Sequence, residues 1–456
     1  MAENILSMLF DNDSFVRTEA YVVSEAGVSG DGVITGYGAV SGRLVYAAVY
    51  DSSVLGGAFG LVQANKIART VALAKRNGAP FVFVIDSQGV KLTEGVSALS
   101  GYGVLASALA KASGVIPLVA VVDGICAGTM AALAGMCDFT VMNKEKGKLY
   151  MNSELVVSGV SGVFVEDKSY GGGEYNSASG AATVLSDDQA SMYSKVRTLL
   201  QLLPDNNASG APNFESNDDL NRYCGNLDNG AASASDVIKN IADNDAPVIE
   251  IREGYAKEVV CALGVMGGAT VGFVASEISE ESYLTAAGCE KAASFVELCD
   301  SFNIPVVTLS SSCGFLASEK EEKLSLSESA ARLMGAYSIA EVPKITIVTK
   351  QAYGGAYVAM GSKSLGCDYA AAWDVADVAA LSPKAGVEIM YHDDIVSSVS
   401  PEATREEKIN EYKELYAGPG AAAAKGELDE IIKPGETRAF VISALMMLSG
   451  KSFFGV

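Results

Sequence analysis

Two short stretches of this 456-residue sequence, GICAGTM (Gly124–Met130) and AYGGAYVAM (Ala352–Met360), read as a strand running into a glycine-rich turn that opens a small-residue helix. Glycine lets backbone approach a ligand closely, and the first N–H groups of a helix point outward with partial positive charge. Such a turn can hold a developing oxyanion without any side chain. Gly and Ala at a strand-to-helix turn also serve close packing of a helix on a sheet. The functional reading draws its weight from the recurrence of the turn at the same place in two halves of the chain.

Side chains that usually carry catalysis are scarce. His392, in YHDDI, is the only histidine, and both the Ser/His/Asp and the Cys/His arrangements need one. No HExxH, His/Cys cluster or EF-hand loop occurs, so no protein-bound metal is expected. The string GAYVAMGSKS lacks the GK[ST] ending of a phosphate loop and reads as helix packing. The eight cysteines form no CxxC pair and lie mostly in apolar runs such as MCDF and ELCDSF, where a thiol packs as a small hydrophobe. Neither a disulfide framework nor a four-cysteine zinc site is expected.

The elements that position the turns repeat. Lys66–Val90 (KIARTVALAKRNGAPFVFVIDSQGV) matches Lys291–Phe315 (KAASFVELCDSFNIPVVTLSSSCGF): an amphipathic helix, a turn with Pro, a β-branched strand and a small-residue loop ending near Gly. Pro80 and Pro305 are offset by 225, Pro117 and Pro343 by 226, Gly128 and Gly354 by 226, and the Cys137-Asp138 and Cys367-Asp368 pairs by 230. The chain therefore reads as a tandem duplication of α/β units. Strands are expected to open each half, at Leu44–Val49 and at Val259–Val265 with Thr270–Ala275. Between the copies, Pro204–Asp245 is rich in Asn, Asp, Ser and Gly without sustained periodicity, and the domains are divided there, as 1–225 and 226–456.

Composition agrees with two packed cores: 49% hydrophobic and 19% charged residues. The start is acidic where a signal peptide needs a basic segment, and the most apolar stretch, Gly124–Cys137, runs into Asp138 and reads as a buried helix. A cytoplasmic protein is expected. With 33 basic against 55 acidic residues, net −22, the chain repels nucleic acid and anionic membrane surfaces, and nucleic acid is excluded as a partner.

The sequence resembles the carboxyltransferase subunits of biotin-dependent acyl-CoA carboxylases and decarboxylases, of the propionyl-CoA carboxylase beta and methylmalonyl-CoA decarboxylase alpha type, within the crotonase superfamily. The resemblance runs through GDGVITGYGAVSGRLVYAAVYDSSVLGGAFG, KRNGAP, DSQGVKLTEGV, SGYG and GICAG. It continues through KAASFVELCDSFNIPVVTL, YSIAEVPKITIVTKQAYGGAYVAMGSK and GELDEIIKPGETRAFVISAL. It implies an α/β fold made of two crotonase-like (ClpP/crotonase) ββα-superhelix domains, the first on the acyl-CoA side and the second on the biotin side.

Carried over, the amides of Gly128 and Thr129 would hold the thioester oxygen of the acyl-CoA, and those of Gly355 and Ala356 the ureido oxygen of carboxybiotin. Gly89, Lys91, Ala127, Tyr353, Gly354 and Val358 would line the substrates. The biotin anion would itself serve as base, which accounts for the lone histidine. The CoA phosphates need local positive charge, for which Lys66, Arg69, Lys75 and Arg76 are candidates. No biotin-attachment motif or ATP-grasp-like loop is seen, so biotin would arrive on a separate biotin carboxyl carrier protein. A biotin carboxylase subunit or a membrane decarboxylase subunit would complete the system. The site would form between subunits of a trimer or a dimer of trimers.

The sequence departs from the family at Thr129 (usually Gly), at Lys91 (Arg in DSxGAR), at Ser310–Phe315 (SSSCGF for DxPGF) and around Ala330–Gly335, where RHGA is absent. Val358 stands where propionyl-type members carry Asp. These leave open a non-catalytic scaffold subunit paired with an active paralogue. A crotonase-type hydratase or isomerase, with Glu94 as its nearest acid, is the third reading.

Overall fold

The computed structural model describes residues 2–22, 32–165, 170–230, 233–279 and 281–451. The first half holds β1 (Val16–Thr18), β2 (Val33–Val40), β3 (Arg43–Tyr50), β4 (Phe81–Ser87), β5 (Leu118–Ala127), β6 (Phe139–Asn143), β7 (Lys148–Tyr150) and β8 (Val184–Ser186). They are ordered β1-β2-β3-β4-β5-β6-β8, with β7 paired to β5. The second half holds β9 (Ile249–Ile251), β10 (Val259–Met266), β11 (Ala269–Ser276), β12 (Val306–Ser312), β13 (Lys344–Tyr353), β14 (Tyr369–Trp373), β15 (Asp377–Ala379) and β16 (Glu430–Ile432). Their order, β9-β10-β11-β12-β13-β14-β16 with β15 on β13, repeats the first. The duplication read from the offsets is therefore a duplication of topology.

Local chemistry explains the shared plan. Each sheet opens on an antiparallel hairpin closed by two residues of positive φ, Ser41-Gly42 (49° and 76°) and Gly267-Gly268 (59° and 82°), the geometry that suits strand twist. The following strands pair in parallel and are buried on both faces, so FVFVIDS and VVTLSSS read as runs rather than alternations. The connecting helices are Leu61–Asn77 and Val96–Ala112 in the first half, and Ala286–Ser301 and Leu326–Ile339 in the second. The apolar stripes of the first two join a core around Phe81, Phe83, Leu105 and Leu109. The second half has a separate core around Val307, Leu309, Ile345 and Trp373, to which the helices Ala234–Ile241 and Thr437–Met447 contribute.

The chain divides into two compact units, Met1–Pro212 with Arg252–Tyr255, and Asn213–Ile251 with Ala256–Val456. Residues 213–225, placed with the first half by a division at 225/226, thus pack in the second. The cause is electrostatic. Arg438, with its side chain wholly buried, reaches Asp243 at 2.8 Å, and Arg222 grips Asp218 at 2.9 Å and the carbonyls of Asn240 and Ala242. Two further expectations are corrected. Gly124–Cys137 is not one buried helix: Gly124–Ala127 ends β5 and only Thr129–Ala134 is helical. Within the polar connector, Ala234–Ile241 is an amphipathic helix capped by Ser233, burying Ala234, Val237, Ile238 and Ile241.

Candidate active site

Both turns leave the sheet by the same device. After β5, Gly128 adopts φ 64° and ψ −139°, a region closed to residues with a Cβ, and the Thr129–Ala134 helix starts at once. After β13, Gly354 adopts φ 61° and opens the Gly354–Ala359 helix. The strained position is thus glycine in both, and Thr129, the departure from the family's glycine pair, sits in helical backbone that a β-branched residue accepts. The first-turn N–H groups have no partner inside a helix. Thr129 and Met130 offer theirs at the first turn; Gly355 and Ala356 offer theirs at the second. The Gly128 N–H is already used, donating to the Tyr150 carbonyl at 2.9 Å.

A loop flanks each turn, again in duplicate. A register shift between Ile85 and Ser87 sets Ser87 opposite Cys126, and one between Ser310 and Ser312 sets Ser312 opposite Ala352. Ser87 Oγ accepts the Gly89 N–H at 3.3 Å, and Ser312 Oγ accepts the Gly314 N–H at 3.2 Å. Gly89 and Gly314 have φ 122° and 134°. Phe59 pairs with Val90 and Leu284 with Phe315, fixing the far side of each loop. Phe315 stands over Gly355, where an added Cβ would lie 3.2 Å from the ring. Asp86 Oδ1 accepts the Ile125 N–H at 3.0 Å across the first shift; the residue offset by 225 is Ser311, so the lost acid of the second loop is the equivalent of this bulge anchor.

The polar groups near the first turn are committed to structure. Lys91 pairs with Glu94 at 3.2 Å, and Glu94 accepts the Leu61 N–H at 2.7 Å, capping the Leu61–Asn77 helix. Burial pushes the Cys126 thiol far above its ordinary range, so it is no thiolate nucleophile at neutral pH. Burial also raises the Asp123 carboxyl, although Gln189, Asn143 at 3.2 Å and Tyr193 at 3.3 Å donate to it. Sequence reading missed Asp123, Ser87 and Ser312; the repeated Ser-x-Gly of DSQGV and SSCGF was the available signal for the two serines.

Of the ten expected site residues, Gly89, Lys91, Ala127, Gly128 and Thr129 meet in the first unit, and Tyr353, Gly354, Gly355, Ala356 and half-buried Val358 in the second. His392 is exposed at the start of the His392–Ser397 helix. Among the phosphate candidates, Lys66 is corrected: it is buried and donates to the Val33 carbonyl. Arg69 pairs with Glu19 at 2.7 Å, and Arg69, Lys75 and Arg76 line a groove of about 980 Å³ with Lys111. Among the described residues no group of three His, Cys, Asp or Glu is placed to hold a metal, and no helix is long and apolar enough to cross a membrane.

Known proteins share this architecture. The carboxyl transferase domain model matches residues 1–455. A methylmalonyl-CoA decarboxylase subunit alpha from Propionigenium modestum is 36% identical over 99% of this chain and 90% of its own. A methylmalonyl-CoA carboxyltransferase 12S subunit from Propionibacterium freudenreichii subsp. shermanii is 37% identical over 90% of this chain and 80% of its own. A crystal structure of a transcarboxylase 12S, described as a hexamer assembly with hydrolysed methylmalonyl-coenzyme A bound, superposes with a TM-score of 0.93. It is 35% identical and covers 98% of this chain and 89% of that one. The two sheets with their glycine turns are the crotonase-like pair that the sequence implied, and this chain is a member of the carboxyl transferase family.

Proposed function

We propose that the chain is the carboxyltransferase subunit of a biotin-dependent acyl-CoA carboxylase or decarboxylase. It would move a carboxyl group between carboxybiotin, carried on a separate protein, and the α-carbon of a short acyl-CoA of the propionyl/methylmalonyl or acetyl/malonyl kind. The observation that carries this reading is the pair of equivalent turns, each launched from a glycine at φ near 60° into a helix start. Biotin, when bound, supplies the transferable carboxyl group and the base.

The chain's own part is positioning and charge stabilisation. The Thr129 amide, with Met130 next to it, faces the thioester oxygen as negative charge grows there; Gly128 contributes its conformation, since its N–H holds Tyr150. Gly355 and Ala356 present their amides to the ureido oxygen, with Tyr353 and Gly354 fixing the turn and Val358 giving the acyl pocket an apolar wall. Ala127, Gly89 and Lys91 border the acyl side, Lys91 through its hold on Glu94. Self-association as a trimer or a dimer of trimers brings a first turn of one subunit to a second turn of another, as the hexamer of the similar transcarboxylase suggests. A biotin carboxyl carrier protein, and either a biotin carboxylase or a membrane decarboxylase subunit, complete the reaction.

The test is loss of the carboxyl group from methylmalonyl-CoA or malonyl-CoA by the purified chain, with and without free biotin. Biotin-dependent turnover is expected. An oligomer that binds CoA by calorimetry yet shows no turnover with either thioester would favour the scaffold reading instead.

A further inference from the structure

Both turns have a backbone brace, β5 pairing with β7 as far as Ala127 and Tyr150 and β13 with β15 as far as Tyr353 and Ala379, and the second turn carries a further one. At the first, the strand ends in Ala127 and the brace includes the backbone bond from Gly128 to Tyr150. At the second, the strand ends in Tyr353, offset by 226, whose side chain is 7% exposed and whose hydroxyl donates to Asp377 Oδ2 at 3.2 Å. The same oxygen receives the Lys413 ammonium at 2.9 Å. Lys413 begins a π-helical turn, Lys413–Ala417, a geometry that is rare and concentrates at functional sites. That turn ends a helical segment (Pro383–Met390, His392–Ser397, Pro401–Tyr412) with a small core of its own: Val387, Ile395, Tyr412 and Ala417. Ala379, opposite Tyr353 in the β13–β15 pairing, packs on that core.

We infer that Tyr353 is a positioning residue. Through Asp377 and Lys413 it ties the second turn to the helical segment 383–417, so the seating of that segment sets the direction of the Gly355 and Ala356 amides. The inference rests on reading those amides as the ureido-oxygen site, and it gives a role to a charged relay that the first turn, with Ala127 in place of Tyr353, cannot form. Asp377 gathers a phenol and an ammonium on one oxygen, so removing either end loosens the other.

The test uses the full chain with Lys413→Met, Asp377→Asn and Tyr353→Phe. Amide hydrogen exchange without ligand should rise at least threefold in peptides spanning the end of β13 and the second turn, and stay unchanged at Ala127–Leu133. With free biotin and methylmalonyl-CoA, kcat should fall or KM for biotin rise about tenfold, while KM for the thioester stays within twofold. Lys413→Arg should restore the wild-type pattern. Exchange unchanged at the second turn, or raised equally at both turns, overturns the inference, as does a parallel change in both KM values. Lys413 is half-exposed, so its variant remains informative if Asp377→Asn misfolds. Should the wild-type chain turn over neither thioester, the functional reading fails while the exchange result still decides the role of Tyr353.

Discussion

Glu94 accepts the Leu61 N–H at 2.7 Å, and in the second half Glu321 accepts the Ala286 N–H at 2.7 Å. Each carboxylate follows the fourth strand of its half, β4 or β12, and caps the helix before that strand. Glu94 is thereby a structural acceptor, which removes the acid that a hydratase would need. Glu94→Ala should lower stability by about 0.5–2 kcal/mol, the usual loss for a helix cap, read by denaturant unfolding. Glu94→Gln, which still offers an oxygen, should keep carboxyl transfer within a few-fold; a collapse by orders of magnitude would restore Glu94 as a catalytic acid.

Gly128→Ala separates strain from bulk. An added Cβ meets nothing within 4 Å, so any effect comes from φ 64° and ψ −139° alone. Relaxing that backbone swings the Thr129 amide away, and loss of one oxyanion donor typically lowers the rate about 10²–10³-fold. Thr129→Gly, in helical backbone, should by contrast change the rate only a few-fold. Equal losses in the two variants would show that the Thr129 side chain, and not the turn, is what the first site requires.

Much of this plan was legible because duplication writes it twice. The Cys-Asp pairs are an example: Asp138 accepts the Leu118 N–H and Asp368 the Lys344 N–H, both at 2.8 Å, so the recurring acid pins the start of the strand that leads to each turn. The Glu94 and Glu321 caps stayed hidden because their offset is 227 and LTEGV shares little with EKEEK. The Ala234–Ile241 helix carried its signal, a Ser cap and apolar residues at 234, 237, 238 and 241, but the surrounding Asn, Asp and Ser masked it. Sequence could not show which turn residue takes the positive φ, and so could not tell that Thr129 falls in helical backbone.

Arg438 sits with no exposed side-chain surface against Asp243, whose two oxygens also accept the Gly267 and Gly268 N–H groups of the hairpin. Arg438→Met would strand a buried carboxylate, a change worth about 3–5 kcal/mol. The second unit should then unfold first, seen as an early transition in calorimetry. Asp243→Asn combined with Arg438→Met should recover part of the loss; a double variant as unstable as the sum of the singles would mean the pair is not coupled.

Asp138 gives the chain a pH signature. Burial raises its carboxyl from 3.8 to about 7, against the opposing Leu118 N–H. The unfolded chain loses this proton near pH 4 and the folded chain keeps it until about pH 7, so the native state binds more protons in that window. Stability contributed at this site therefore falls as pH rises from about 4 to about 7 and stays low above it. Asp138→Asn keeps an acceptor for Leu118 and never ionises. Its Tm should exceed that of the wild type at pH 8, with the gap narrowing on acidification and closing near pH 4. A gap that stays constant across this range would mean that Asp138 is already ionised in the folded protein at pH 5.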